Sequence, residues 1–384
     1  MTRSLAGCAI VLEKAISAAV FTARRCHSNL LGDVIVRAEG GKFGITLNRP
    51  EVLNALTLQM IEELLILLKQ INADRSAKLI LLKGAGHKAF CAGGDIRALA
   101  EASKKKTQLT ETLFQKEYLL NNLIKTLRVP FVALIDGIVM GGGVGLSVHS
   151  LFRVATRRTM FAMPETAIGF FPDVGGSYFL PRLAGNLGIF LALTGTRLTG
   201  RDVYEAGVAT HFISENETEN LEEDLMKGKG LNDVSSIRRV LQRYHAQSCG
   251  ETRNFSLSPH MEQIEYAFSA DRMEEVMQRL RDDASTWAKN CLARLEKMSP
   301  TSLKVTLKQM KLGRTMSFEE CMKMEYRLSQ RMIRQHDFYE GVRSVLIDKD
   351  GEPKWSPSRL EQVDEESLNN FFAPLPPEKE LFFD

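Results

Sequence analysis

The chain has 384 residues, 44% apolar and 25% charged, an ordinary globular composition with hydrophobic material for one large domain or two moderate ones. Its net charge is only +3 with bases and acids interspersed along the body, so no basic stripe marks a nucleic-acid surface. Apolar runs such as Leu79 to Leu82 and Phe131 to Ile135 are strand-sized, well short of the roughly 18 to 20 residues of a membrane span, which predicts a soluble protein with no membrane partner.

In chain order, residues 1–28 come first, with Arg3, Lys14, Arg24 and Arg25 against the single acid Glu13. That excess equals the net charge of the whole chain, so the remainder is neutral. With Ala, Ser, Leu and Val between the bases, the segment reads as a mitochondrial transit peptide cleaved near His27 to Leu31, which places the mature protein in the matrix. A plain basic tail is the alternative.

Residues 29–226 alternate strand-like and helix-like segments. Strands are predicted at Val34 to Ala38, Gly44 to Leu47, Lys78 to Leu82, Phe131 to Ile135, Phe152 to Ala155 and Met160 to Ala162. Helices are predicted from Thr57 to about Ala73 and from about Leu109 to Leu127. Such alternation predicts an α/β region with parallel pairing. Lys227 to Gly230 marks a break, and residues 227–347 read as helices at Leu231 to His245, Met261 to Phe268, Arg272 to Arg281, Ser302 to Lys311 and Phe318 to Ile333. Residues 348–384 form a proline-rich, loop-dominated extension. The six cysteines, at 8, 26, 91, 249, 291 and 321, include no C-x-x-C pair and keep no histidines at zinc spacing. They predict reduced thiols and no metal site.

Three segments carry chemistry. Phe90 to Ile96, FCAGGDI, follows a predicted strand; its paired glycines let backbone N–H groups approach a ligand, although a strand-to-helix turn capped by Asp95 reads the same. Ile135 to Gly145, IDGIVMGGGVG, ends a buried strand and opens a helix, where unpaired N–H groups stabilise a developing oxyanion, with Gly142 as the donor. No G-x-G-x-x-G, no Gly-Lys-Ser/Thr and no G-x-S-x-G fits there, which removes the nucleotide and serine-nucleophile readings. In Phe161 to Leu183, Glu165 and Asp173 each follow a proline in an apolar stretch. Such surroundings push carboxyls towards the working range of an acid or base, while two helix-start residues are the structural alternative.

Together with GITLNRPEVLNAL (Gly44 to Leu56) and LALTGTRLTGRDVYEAGVATH, these segments resemble the crotonase, or enoyl-CoA hydratase/isomerase, superfamily. The resemblance runs unbroken from Gly44 to about Phe212. It implies an α/β fold, the ClpP/crotonase-like spiral of ββα units, followed by a helical C-terminal region. The wording MPETAIGFFPD and LTGTRLTGRDVYEAG is most similar to the subgroup that hydrolyses 3-hydroxyisobutyryl-CoA in mitochondrial valine breakdown.

By that resemblance the N–H groups of Gly94 and Gly142 form the oxyanion hole, Glu165 and Asp173 are catalytic, and Glu117 binds substrate together with Gly142, Glu165 and Asp173. Glu117 also reads as a solvated helix position. CoA is expected along Asn48 to Asn54 and Ala89 to Ala92, with Lys88 or Arg97 near its phosphates, and as part of the substrate it leaves no separate cofactor to supply. Lys104 to Lys106 reads as an exposed basic turn. Hydratases of the superfamily usually carry a second glutamate where this chain has Gly145, which favours hydrolysis. An enoyl-CoA hydratase or isomerase of the same fold, and a non-catalytic subunit associated with mitochondrial ribosomes, are the rival readings. Homo-oligomers are common among relatives and are an open expectation here.

Overall fold

A computed structural model of the protein describes residues 29–105, 107, 109–249 and 255–383. The expected transit peptide at 1–28, and Lys106 of the basic turn, lie outside the described residues. The strands are β1 (Asn29–Leu31), β2 (Val34–Glu39), β3 (Lys42–Leu47), β4 (Leu79–Gly84), β5 (Ala89–Cys91), β6 (Phe131–Ile135), β7 (Ile138–Met140), β8 (Phe152–Ala155), β9 (Met160–Ala162), β10 (Leu198–Thr199) and β11 (His211–Phe212). The chain divides into two compact units. One draws on residues up to Gly94, Leu119–Met160 and Thr199–Arg253; the other on Asp95–Tyr118, Phe161–Leu198 and Asn254–Asp384.

The first unit is built on a seven-stranded sheet in the order β1-β2-β3-β4-β6-β8-β11. From β3 onwards the neighbours are parallel, as the alternation of strand and helix predicts. The first three strands are antiparallel, which corrects the expectation of parallel pairing for that edge. The cause is local: Gly40 and Gly41 have φ of 58° and 85°, the left-handed pair that a two-residue hairpin needs. Leu79, Leu81, Val132, Leu134, Phe152 and Val154 pack on helices Thr218–Lys227 and Val234–Ser248 through Leu221, Leu225, Ile237 and Leu241. The intervening Ile80, Leu82 and Ala133 are buried too, so both faces of the central strands are covered, the usual condition of a parallel sheet. Helix Leu58–Ala73 starts where Thr57 accepts from the Met60 N–H, and its apolar stripe includes Met60, Leu64, Leu67 and Ile71.

The second unit is mainly helical. Met261–Phe268, Met273–Asp283, Pro300–Gly313 and Phe318–Met332 form where periodicity places them. Thr286–Leu295 and His336–Val342 are helices that the sequence reading leaves out, and Glu365–Phe372 adds about two turns of helix to the proline-rich tail. The break at Lys227 to Gly230 is a helix end: Gly228 follows the last turn, and the Lys42 ammonium donates to the carbonyls of Met226 and Gly228. Among the described residues no helix is long and apolar enough to cross a membrane.

Candidate active site

The two glycine segments meet within the first unit. β5 and β7 pair in parallel and deliver Cys91 to Gly94 beside Gly141 to Gly143. Gly93 has φ of 107°, a conformation open mainly to glycine, and a Cβ there would sit 3.6 Å from the Gly142 nitrogen. A Cβ on Gly143 would overlap the Cys91 carbonyl oxygen, so this helix start approaches the neighbouring loop as closely as backbones allow. Gly142 opens helix Gly142–Ser147, and its N–H has no intrahelical acceptor. Around Gly94 the opposite holds: a Cβ would meet nothing within 4 Å, and the Leu56 N–H donates to the Gly93 carbonyl at 2.8 Å, fixing the backbone just ahead of it. Asp95 does cap helix Ile96–Lys104 by accepting from the Ala98 N–H. The turn and the backbone site therefore coexist.

Three of the expected carboxyls come together in the second unit. Glu117 lies on helix Leu109–Thr126 and is buried, which rules out the solvated-face reading. Glu165 opens a 3-10 turn, Glu165–Ile168, closed by Gly169 with φ of 68°. Side chains at Gly169 or Gly341 would overlap the Asp337 carbonyl or Ile168 respectively, so helix His336–Val342 grips this turn. Asp173 follows Pro172 and is buried as well. It does not cap the next helix; its Oδ2 accepts from the Tyr118 hydroxyl at 2.9 Å.

Burial and mutual charge set the protonation of this group. Glu165 is pushed well above the usual carboxyl range by burial and then by the charge of Asp173. Glu117 is raised to about 8 by the same two causes. Burial raises Asp173 to about 7, although the Tyr118 donor and a backbone donor pull the other way. Near neutral pH the group therefore holds protons that exposed carboxyls would have lost, and an acid and a base can sit side by side. Glu165 Oε2 is buried with no hydrogen-bond partner among the described residues.

Two residues absent from the sequence reading complete the arrangement. Tyr118 is fully buried and bonds Asp173 directly. Glu325, on helix Phe318–Met332, accepts from the N–H groups of Gly175 and Ser177 at 2.7 and 2.9 Å. The signal for Glu325 was present as a lone acid in the apolar stripe Cys321, Leu328, Met332. Tyr118→Phe removes a donor that favours the Asp173 carboxylate. The alkaline limb of the kcat profile, set by the acid that must hold its proton, should move to higher pH, and kcat should fall by about tenfold as Asp173 loses its fixed orientation; an unshifted limb would contradict a role for this bond.

The flanking expectations resolve individually. Asn54, fully buried, receives the Arg49 N–H and donates to the carbonyls of Ala85 and Ala89, tying together the two turns expected to run along CoA. Lys88 is exposed, whereas the Arg97 guanidinium is engaged by the Leu346 carbonyl. Lys104 lies 5.5 Å above the Tyr339 ring. Gly145 is buried inside helix Gly142–Ser147, with its N–H on the Gly141 carbonyl at 3.2 Å. Among the described residues no group of three or more His, Cys, Asp or Glu could hold a metal ion.

A sheet parallel from β3 onwards, glycine turns after the paired β5 and β7, and a nest of buried carboxyls are the features expected of an enzyme of the crotonase fold. A profile of the enoyl-CoA hydratase/isomerase family matches residues 43–372, and the chain belongs to that family. It is 53% identical over 350 residues to a Gallus gallus protein named "3-hydroxyisobutyryl-CoA hydrolase, mitochondrial", with 91% of each chain covered. The Homo sapiens protein of the same name is also 53% identical, over 91% of this chain and 90% of that one. A crystal structure titled as a carnitinyl-CoA dehydratase from Mycobacterium thermoresistibile superposes with a TM-score of 0.84 and 34% identity, covering 92% of this chain and 99% of that chain.

Proposed function

We propose that this chain is a mitochondrial hydrolase that converts 3-hydroxyisobutyryl-CoA and water to 3-hydroxyisobutyrate and CoA, a step of valine breakdown. The observation that carries the residue assignment is the buried Glu165 and Asp173 pair, with its raised protonation range and the unpartnered Glu165 Oε2. Relatives named as this hydrolase, more than half identical over nine-tenths of the chain, support the substrate.

In this reading the thioester carbonyl accepts from the Gly94 and Gly142 N–H groups, which stabilise the oxyanion formed on attack. Glu165 attacks the carbonyl carbon in its ionised form, which burial and Asp173 disfavour and thereby make the more nucleophilic. The C–S bond breaks to leave a mixed anhydride, and the departing thiolate takes a proton from Asp173. Water then opens the anhydride while giving a proton to Asp173, which restores both carboxyls and releases the hydroxy acid. The same groups serve a direct route in which Glu165 takes the proton of the attacking water. Glu117, held largely protonated, bonds the 3-hydroxyl. Hydration of a double bond would need a second acid where the chain has Gly145. Neither route calls on a metal or an organic cofactor, and association into homo-oligomers remains part of the proposal.

The test is release of CoA thiol from 3-hydroxyisobutyryl-CoA by residues 29–384, with hydration of crotonyl-CoA followed in parallel. Rapid thiol release with little hydration is expected. Dominant hydration would assign a lyase, and silence on both substrates together with co-sedimentation with mitochondrial ribosomes would assign the non-catalytic role.

A further inference from the structure

Glu325 is fully buried in the second unit, and among the described residues no lysine or arginine pairs with it. A carboxyl in such a place is costly unless donors satisfy it. Three do: the N–H groups of Gly175 and Ser177 and the Ser177 hydroxyl, all from the turn directly after Asp173. Burial raises the group to about 8, while these donors favour its ionised form. A satisfied apolar side chain would fill the same volume more cheaply, so retaining an acid here calls for a reason beyond packing.

The turn supplies that reason. Val174, between Asp173 and Gly175, has φ of 52°, a left-handed conformation that a β-branched residue rarely adopts. Such strain persists only where the surroundings over-determine it. Here the Asp173 carbonyl accepts from the Gly176 N–H at 2.8 Å, Gln309 donates to the Pro172 carbonyl at 2.9 Å, and Glu325 holds the backbone on the other side of Val174. Helix Pro300–Gly313 ends against the same turn, where a side chain at Gly313 would overlap the Ser177 carbonyl.

We propose that Glu325 is a positioning residue for the reaction: its carboxylate pins Gly175 to Ser177, keeps Val174 left-handed, and so aims Asp173 at the proton it transfers. This inference rests on the reading that Asp173 handles that proton. Glu325→Gln preserves volume but sets an amide NH2 against a backbone N–H, so one side of the clamp opens. It should lower kcat by about 30-fold with KM changed less than about twofold. In an Asp173→Asn background the same change should cost almost nothing more, because the aim of an absent acid cannot be lost. A general packing defect would instead compound the two losses and appear as a lower Tm in both backgrounds.

Ser177→Ala, which removes one of the three donors and leaves Glu325 in place, repeats the cycle with a smaller loss if Glu325→Gln does not fold. Full activity in Glu325→Gln beside an impaired Asp173→Asn, or multiplying losses in the double variant, would overturn the positioning role alone. Full activity in Asp173→Asn would overturn the role of Asp173 and this inference with it.

Discussion

Glu165→Gln is expected to lower kcat for thioester hydrolysis by about a thousandfold or more while acyl-CoA still binds. The change keeps the shape of a side chain that opens the Glu165–Ile168 turn but removes its capacity to attack or to take a proton. Binding should survive because the turn is held by other groups: the Thr166 carbonyl accepts from the Ser299 N–H, and Gly169 and Gly341 lie in close backbone contact with the facing segments. Stability should hold or rise, since a neutral amide replaces a buried carboxyl whose ionisation is opposed by burial and by Asp173. The sign can be checked with pH. A carboxyl raised in the folded state contributes stability that is complete below its unfolded value and is lost as pH rises through the folded one. The advantage of Glu165→Gln in Tm should therefore grow from pH 5 towards alkaline pH. Turnover within tenfold of the parent protein would remove Glu165 from the chemistry.

The second large effect separates two glycines of the backbone site. Gly94→Ala should fold with an unchanged Tm and yet lose about a hundredfold or more in kcat, because the space above Gly94 is open in the protein and is where the thioester carbonyl is proposed to lie. Gly143→Ala should lose Tm first, because its Cβ would overlap the Cys91 carbonyl and force helix Gly142–Ser147 away from β5. Thermal melts and thiol-release kinetics on both variants decide the matter. A fully active Gly94→Ala protein would mean that the carbonyl does not approach there.

Local chemistry made much of the first unit legible. Pairs of glycines are readable because their backbone freedom is a property of the residue itself, and the runs at Phe131 to Ile135 and Phe152 to Ala155 are strands because their length and apolarity leave few alternatives. The β2–β3 hairpin was misread although Gly40 and Gly41 signalled it, since apolar content outweighed the turn in the reading. Helix Thr286–Leu295 was left out although Trp287, Ala288, Cys291, Leu292 and Leu295 recur with a helical period.

By itself, then, the sequence determined where the backbone must turn tightly, which segments form the sheet, and which acids stand among apolar neighbours. Tertiary structure alone decided the state of those acids. Glu117 changes from a helix-surface residue to one titrating at about 8 because of what covers it. Asp173 acquires a hydroxyl donor from Tyr118, 55 positions earlier, and a braced turn from Glu325, about 150 positions later. Desolvation and Coulomb interaction depend on distance in space, not along the chain, so the raised protonation range of these carboxyls exists only once both partners have folded around them.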